Sequence, residues 1–161
     1  MEPVVETYAK DTLGNRMATV GEGNDPVLML AGHMDELGFI VSYVDDNGFI
    51  YFNPVGGHDR IMIPGRRVRI LTRNGDVSGV TGKRAIHLMS PEDRKKIPQI
   101  HEMWIDIGAS SRDDALKRIS LGDAIIYTHG YEPLHGSVGI ARGFDNKSGC
   151  YVVNEVVRRL A

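Results

Sequence analysis

Residues 26–39 read PVLMLAGHMDELGF, and the reading of this stretch decides the fold. Val27 to Ala31 form an unbroken apolar run of strand length, the pattern of a strand buried on both faces of a sheet. Gly32 interrupts it, and His33, Asp35 and Glu36 follow at its C-terminal end, where ligand sites gather in open α/β sheets. Residues two apart in an extended segment point the same way. Asp35 can therefore accept the second ring N–H of His33, or of a neighbouring group, and fix the imidazole tautomer as metal sites require. The plainer reading is a strand that surfaces here with both side chains solvated, and spacing alone leaves the two open.

The sequence on either side is rich in strands. "PVVETYA" and "RMATVG" read as short strands about a turn at Leu13-Gly14-Asn15. "LGFIVSYV" and "GFIYFNPV" flank Asp45-Asp46-Asn47-Gly48, and "GRRVRILTR" and "DVSGVTG" flank Asn74-Gly75; Asn-Gly between apolar runs is a strong hairpin signal. Arg67, Arg69 and Thr72 roughly alternate with Val68, Ile70 and Leu71, so one face of that strand is expected to be wet. Ser90-Pro91-Glu92-Asp93 opens a helical turn that Pro98 ends, and Ser111 caps a second short helix. "MWIDIGA" and "DAIIYTH" read as further strands.

The final stretch, "DNKSGCYVVNEVVRRLA", reads as the clearest helix. Val152, Val153, Val156, Val157 and Leu160 share one face, and Glu155 precedes Arg159 at ion-pair spacing. Such a helix needs a sheet to pack on, and the strands before residue 33 are the candidates. The expected fold is α/β with an inserted β-rich, barrel-like domain. Residues 1–36 and 136–161 would form a discontinuous, incomplete α/β domain, and residues 37–135 the insertion.

Composition narrows the function. A net charge of -2 gives no electrostatic footprint for nucleic acid or an anionic membrane, so neither is an expected partner. No apolar stretch approaches the roughly 20 residues of a membrane span. The single cysteine, Cys150, excludes an intramolecular disulfide and points to a reducing cytoplasm. On an apolar helix with no base beside it, Cys150 reads as an inert buried thiol. No H-E-x-x-H or G-x-S-x-G motif occurs among these residues, and G-x-G-x-x-G is absent from any strand-to-helix context.

A second acidic locus lies in "RGFDNKSGC", residues 142–150. Asp145 stands just before the last helix, where an N-cap aspartate is expected on structural grounds alone. Alternatively, its two oxygens could bridge two cations.

Four motifs in order, "AGHMDELGFIV", "VTGKRAIHLMSPEDRKKIP", "MWIDIGASSRDDA" and "GFDNKSGCYVVNEVVRRL", resemble the tetrahedral, glutamyl-type aminopeptidases, a family of two-metal metallopeptidases with some members labelled endoglucanases. The resemblance implies that His33 is a metal ligand, that Asp35 is the aspartate orienting the catalytic site, and that Asp145 is the carboxylate bridging the two metals. It implies that the insertion builds dimers and larger hollow assemblies of identical chains, and that the substrate is a peptide cleaved at its N-terminus. His87 falls in a family segment where prolines are common but where this chain has Ala85-Ile86, and it receives no role.

In the family the general-base glutamate and the remaining ligands follow the helix of the "DNKSG" motif, and a first helix precedes the strand resembling "VVETYA". These 161 residues are thus expected to be a piece of an aminopeptidase, inactive alone, with weak or partial occupancy by two divalent ions (zinc, cobalt or manganese). An incomplete sheet exposes an unpaired edge, so self-association is expected. The alternative is a non-catalytic assembly or peptide-binding module built on the insertion. A glycoside hydrolase is disfavoured, because aromatics make up only 7% and the single Trp104 lies inside an expected strand.

Overall fold

The structure is a computed structural model that describes residue 5 and residues 7–23 and 25–161. The chain divides into two compact units, Leu37–Arg142 and a discontinuous unit made of Met1–Glu36 and Gly143–Ala161.

The larger unit is a closed six-stranded barrel, in keeping with the β-rich, barrel-like insertion expected from the sequence. Strands β3 (Gly38–Val44), β4 (Ile50–Val55), β5 (Arg67–Thr72), β6 (Gly75–Lys83), β7 (Met103–Asp106) and β8 (Ala124–Tyr127) run in the spatial order β3-β4-β7-β6-β5-β8. β8 closes the ring by pairing with both β5 and β3, which leaves the barrel without a sheet edge. Inward residues follow the two-residue period of a strand. They are Phe39 and Val41, Ile50 and Phe52, Val68 and Ile70, Met103 and Ile105, and Ile125, all essentially inaccessible. In β3 the register shifts between Val41 and Tyr43, so Val44 turns inward in place of Tyr43.

Loops and one short helix complete the core. Ile63 enters ahead of β5, and Ala115 of α1 (Arg112–Leu116) and Ile119 just beyond it join the same cluster. The hydroxyl of Ser111 accepts the Asp114 N–H at 3.2 Å, the cap read from the sequence. Among the described residues Thr81 is the buried polar side chain. Its hydroxyl donates to the Ile63 carbonyl at 2.5 Å and accepts the Arg66 N–H at 2.9 Å, so its burial leaves nothing unsatisfied. In the first hairpin loop the Asp45 carboxylate accepts the N–H groups of Asn47 and Phe49. In the second, Thr72 pairs with Gly75, so the two loop residues are Arg73 and Asn74, one position earlier than the Asn-Gly pair. The expected wet face of β5 is there, but Leu71 shares it. The helical turn after Ser90 shrinks to one three-residue turn, Asp93–Lys95, with Ser90 Oγ accepting the Asp93 N–H. A two-rung pairing of β9 (Glu132–Pro133) and β10 (Gly139–Ile140) follows β8.

The discontinuous unit holds an antiparallel hairpin, β1 (Thr7–Lys10) and β2 (Arg16–Thr19), and the last helix, α2 (Phe144–Leu160). Residues 3, 4 and 6 of the expected first strand lie outside the described residues. Asp11 shapes the turn, its carboxylate accepting from the backbone of Leu13 and Asn15 and from the Asn15 side chain.

The expected buried strand at Val27–Ala31 is corrected by the structure. No ladder hydrogen bonds are assigned to it, and Val27, Leu28 and Met29 are more than four-fifths exposed. An apolar run becomes a buried strand only with a neighbour on each side, and in this unit the β1–β2 ladder is not extended to it. The described residues therefore confirm the barrel, while a complete α/β layer is not formed by them. Among them no helix is long and apolar enough to cross a membrane.

Candidate functional site

His33, Asp35 and Asp145 come together within the discontinuous unit. His33 Nδ1 lies 2.9 Å from Asp35 Oδ1, and His33 Nε2 lies 3.1 Å from Asp145 Oδ1. The first contact is the one that two-residue spacing in an extended chain allows. The second joins the two separated sequence segments of the unit. All three side chains are open to solvent.

Helix α2 shows why Asp145 is available. Asp145 and Asn146 are not helical, at φ -90°, ψ 103° and φ -127°, ψ 36°, and a cis peptide bond joins them. The Asn146 Oδ1 atom accepts the Gly149 N–H at 3.1 Å, so Asn146 caps the regular helix. Of the two readings left open for Asp145, the N-cap is therefore the one that does not form. The neighbouring asparagine satisfies the helix end, and the Asp145 carboxylate faces an imidazole instead. A second close approach binds the same segments. A Cβ on Gly32 would stand 2.8 Å from Cys150 N and 3.1 Å from Gly149 C, so only glycine lets the chain pass the helix here.

The imidazole is electrostatically poised. Partial desolvation pulls the His33 pKa down, but the hydrogen bond to Asp35 and the charges of Asp35 and Asp145 outweigh it, and the net shift is upward from 6.5. Protonated, the ring donates to a carboxylate from each nitrogen. Neutral, with Nδ1–H held by Asp35, it presents the Nε2 lone pair towards an Asp145 oxygen.

That pair of donors suits a divalent cation. Imidazole nitrogen and carboxylate oxygen are the mixed set that zinc, cobalt and manganese accept. Two ligands about 2.0–2.2 Å from one tetrahedral cation lie about 3.3–3.6 Å apart, a few tenths of an ångström beyond the separation here. The donors fit in kind and fall short in number. Among the described residues no group of three or more His, Cys, Asp or Glu side chains is arranged to hold a metal.

Three residues that sequence reading left without a positioning role complete the surroundings. Lys147 Nζ lies 3.2 Å from Glu36 Oε1, joining the chain just after Asp35 to the first turn of the helix. Cys150, read from the sequence as a buried thiol, is free and only half-buried. His58 belongs to the barrel, stacked on Phe39 at 4.3 Å with Nε2 donating to the Gly38 carbonyl at 2.9 Å, a packing role.

Comparison with known proteins agrees with the four motifs. Residues 14–161 match the family model described as M42 glutamyl aminopeptidase. An Acetivibrio thermocellus protein that carries a provisional aminopeptidase name is 40% identical over 156 residues, which are 97% of this chain and 44% of that protein. A TET aminopeptidase from a marine sediment Thaumarchaeota archaeon superposes with a TM-score of 0.89 at 34% identity, covering 99% of this chain and 46% of the other. A Pyrococcus horikoshii TET1 peptidase, which can assemble into a tetrahedron or a large octahedral shell, superposes with a TM-score of 0.79 at 32% identity, over 96% of this chain and 46% of the other. The chain thus spans under half the length of these relatives. With a match over nearly its whole length, it belongs to the M42 glutamyl aminopeptidase family.

Proposed function

We propose that this chain supplies part of the active site of a metal-dependent aminopeptidase, together with the barrel through which its copies assemble. The observation that supports this is the His33 ring, held on one nitrogen by Asp35 and presented on the other to Asp145, in a chain of this family. In this reading His33 and Asp145 are metal ligands, Asp145 spans two ions, and Asp35 orients His33. Two divalent ions, zinc, cobalt or manganese, suit these donors. Bound there, they supply polarisation of the scissile carbonyl and a water acidic enough to attack near neutral pH.

The chain's own residues prepare that site. Asp35 accepts the Nδ1 proton and so keeps the Nε2 lone pair directed outward. Asn146 takes over the helix cap, which leaves both Asp145 oxygens for cations. Gly32 admits the helix closely enough for the two segments to meet. A catalytic zinc takes about three protein ligands, so we assign the remaining ligands and the general-base carboxylate to polypeptide outside these 161 residues. The substrate is a peptide with a free N-terminal amine. The barrel serves homo-oligomer formation, dimers building larger assemblies, and a reducing cytoplasm suits a chain with one cysteine.

The test is metal binding and hydrolysis of aminoacyl anilides by the full-length gene product. His33→Ala and Asp145→Asn should each abolish tight zinc binding and turnover while leaving the oligomer intact. Wild-type metal affinity and rate in both variants would overturn the reading. The closed barrel has a hydrophobic core of its own, which favours one second reading, a non-catalytic assembly module. That reading takes over if the full-length product oligomerises but releases no N-terminal residue from any peptide.

A further inference from the structure

His33 and Asp145 ride on separate segments, so their separation must be held by contacts other than their own. Each segment brings one further charged side chain to the place. Glu36 follows Asp35, and Lys147 lies two residues after Asp145. They meet at 3.2 Å, and the side chains of Glu36 and Lys147 are 20% and 42% exposed, against 54% for His33 and 95% for Asp145. The pair is thus sheltered at its carboxylate end, and a partly buried pair is screened less by salt than one in open solvent.

The pair sits directly on the turn that carries Asp145. A Cβ on Gly143 would stand 2.9 Å from Glu36 Oε2 and 3.0 Å from Lys147 Nζ, and the φ of +76° there is one that L side chains rarely adopt. The Lys147 N–H also donates to the Gly143 carbonyl at 3.1 Å. Lys147 is thereby tied by its main chain to the turn before Asp145 and by its side chain to the segment after His33. The Gly32–Cys150 approach holds the same two segments on the other side of His33 in sequence.

We propose that the Glu36–Lys147 ion pair is a positioning clamp that sets the His33–Asp145 separation, and through it the affinity of the site for a divalent cation, without either residue being a ligand. This rests on the reading of His33 and Asp145 as metal ligands. Loss of a partner that orients a ligand typically costs about 10–100-fold in metal affinity.

The experiment measures cobalt affinity of the full-length protein by competition with a chromophoric chelator, together with the visible spectrum of the bound cobalt. Glu36→Gln and Lys147→Met should each weaken binding about tenfold or more and alter that spectrum. The double variant should lose clearly less than the product of the two single losses, because both variants break the Glu36–Lys147 contact. Lys147→Arg keeps the charge and should retain most of the affinity. Circular dichroism on every variant reports folding, and if Lys147→Met unfolds, the Glu36→Gln and Lys147→Arg pair carries the comparison. Single variants with wild-type affinity and spectrum, or additive losses in the double variant, overturn the clamp. His33→Ala serves as reference. If it abolishes binding while Glu36→Gln does not, the clamp alone fails. If it leaves binding unchanged, the metal reading fails and the clamp with it.

Discussion

Gly32 and Cys150 approach so closely that a methyl group on the glycine would stand 2.8 Å from the cysteine backbone nitrogen. Backbone cannot move aside as a flexible side chain can. Gly32→Ala should therefore push helix α2 away from the segment that carries His33, at a cost of about 1–3 kcal/mol for overpacking. Urea denaturation of wild type and variant checks it, and a loss well under 1 kcal/mol would mean that the approach is slack.

The barrel core offers a sharper contrast. Phe39 is 1% exposed, with Phe52 edge-on at 4.7 Å, whereas Leu71 on the outer face of β5 is 38% exposed. Phe39→Ala should cost about 3–5 kcal/mol and Leu71→Ala much less. Chemical denaturation followed by Trp104 fluorescence measures both, and equal losses would contradict the inward–outward assignment of these strands.

Acid should loosen the end of α2. Hydrogen bonds from Arg158 and Arg159 hold the Glu155 carboxyl down to about 2, below its ordinary 4.5. A depressed pKa means that the contribution of the ionised form is complete above about 4.5 and is lost as pH falls towards about 2. Helix content by circular dichroism should fall across that window, and Glu155→Gln should flatten the fall. Both arginines are largely exposed, so high salt should shrink the difference. A pH profile identical in wild type and Glu155→Gln would refute this.

The exposed run Val27-Leu28-Met29 should make the 161-residue chain self-associate. Light scattering over a wide concentration range should give masses above 17.8 kDa that fall towards the monomer when Leu28 and Met29 are both replaced by lysine. A monomer at every concentration would sink the expectation.

Local chemistry made much of this legible from sequence. Both hairpins, the Ser111 cap and the Glu155–Arg159 pair depend on residues a few positions apart, and each forms, the second hairpin with its loop one position earlier than Asn74-Gly75. The His33–Asp35 contact is equally local. A barrel-like insertion was expected, but which strands close it was not legible, because the pairing of β8 with both β3 and β5 depends on strands far apart in sequence and carries no short-range signal. Sequence left open whether Asp145 caps the helix, because Asp and Asn are both good N-caps, and which of two neighbours does the capping depends on their backbone angles. The Val27–Ala31 strand was misread because an apolar run records what it is meant to touch, and that surface is not supplied by the described residues.

The pairing of Phe39 with Ile125 sets an order of events during synthesis. The β3–β4 and β5–β6 hairpins can zip as soon as each leaves the ribosome, since their contacts are near neighbours in sequence. The ring cannot shut until β8 has emerged, so Phe39 and its companions stay wet until then. His33 waits longer still for Asp145. A nascent chain stalled before residue 124 is thus an open sheet with two raw rims and a bare apolar face, the form on which chaperones and proteases would act.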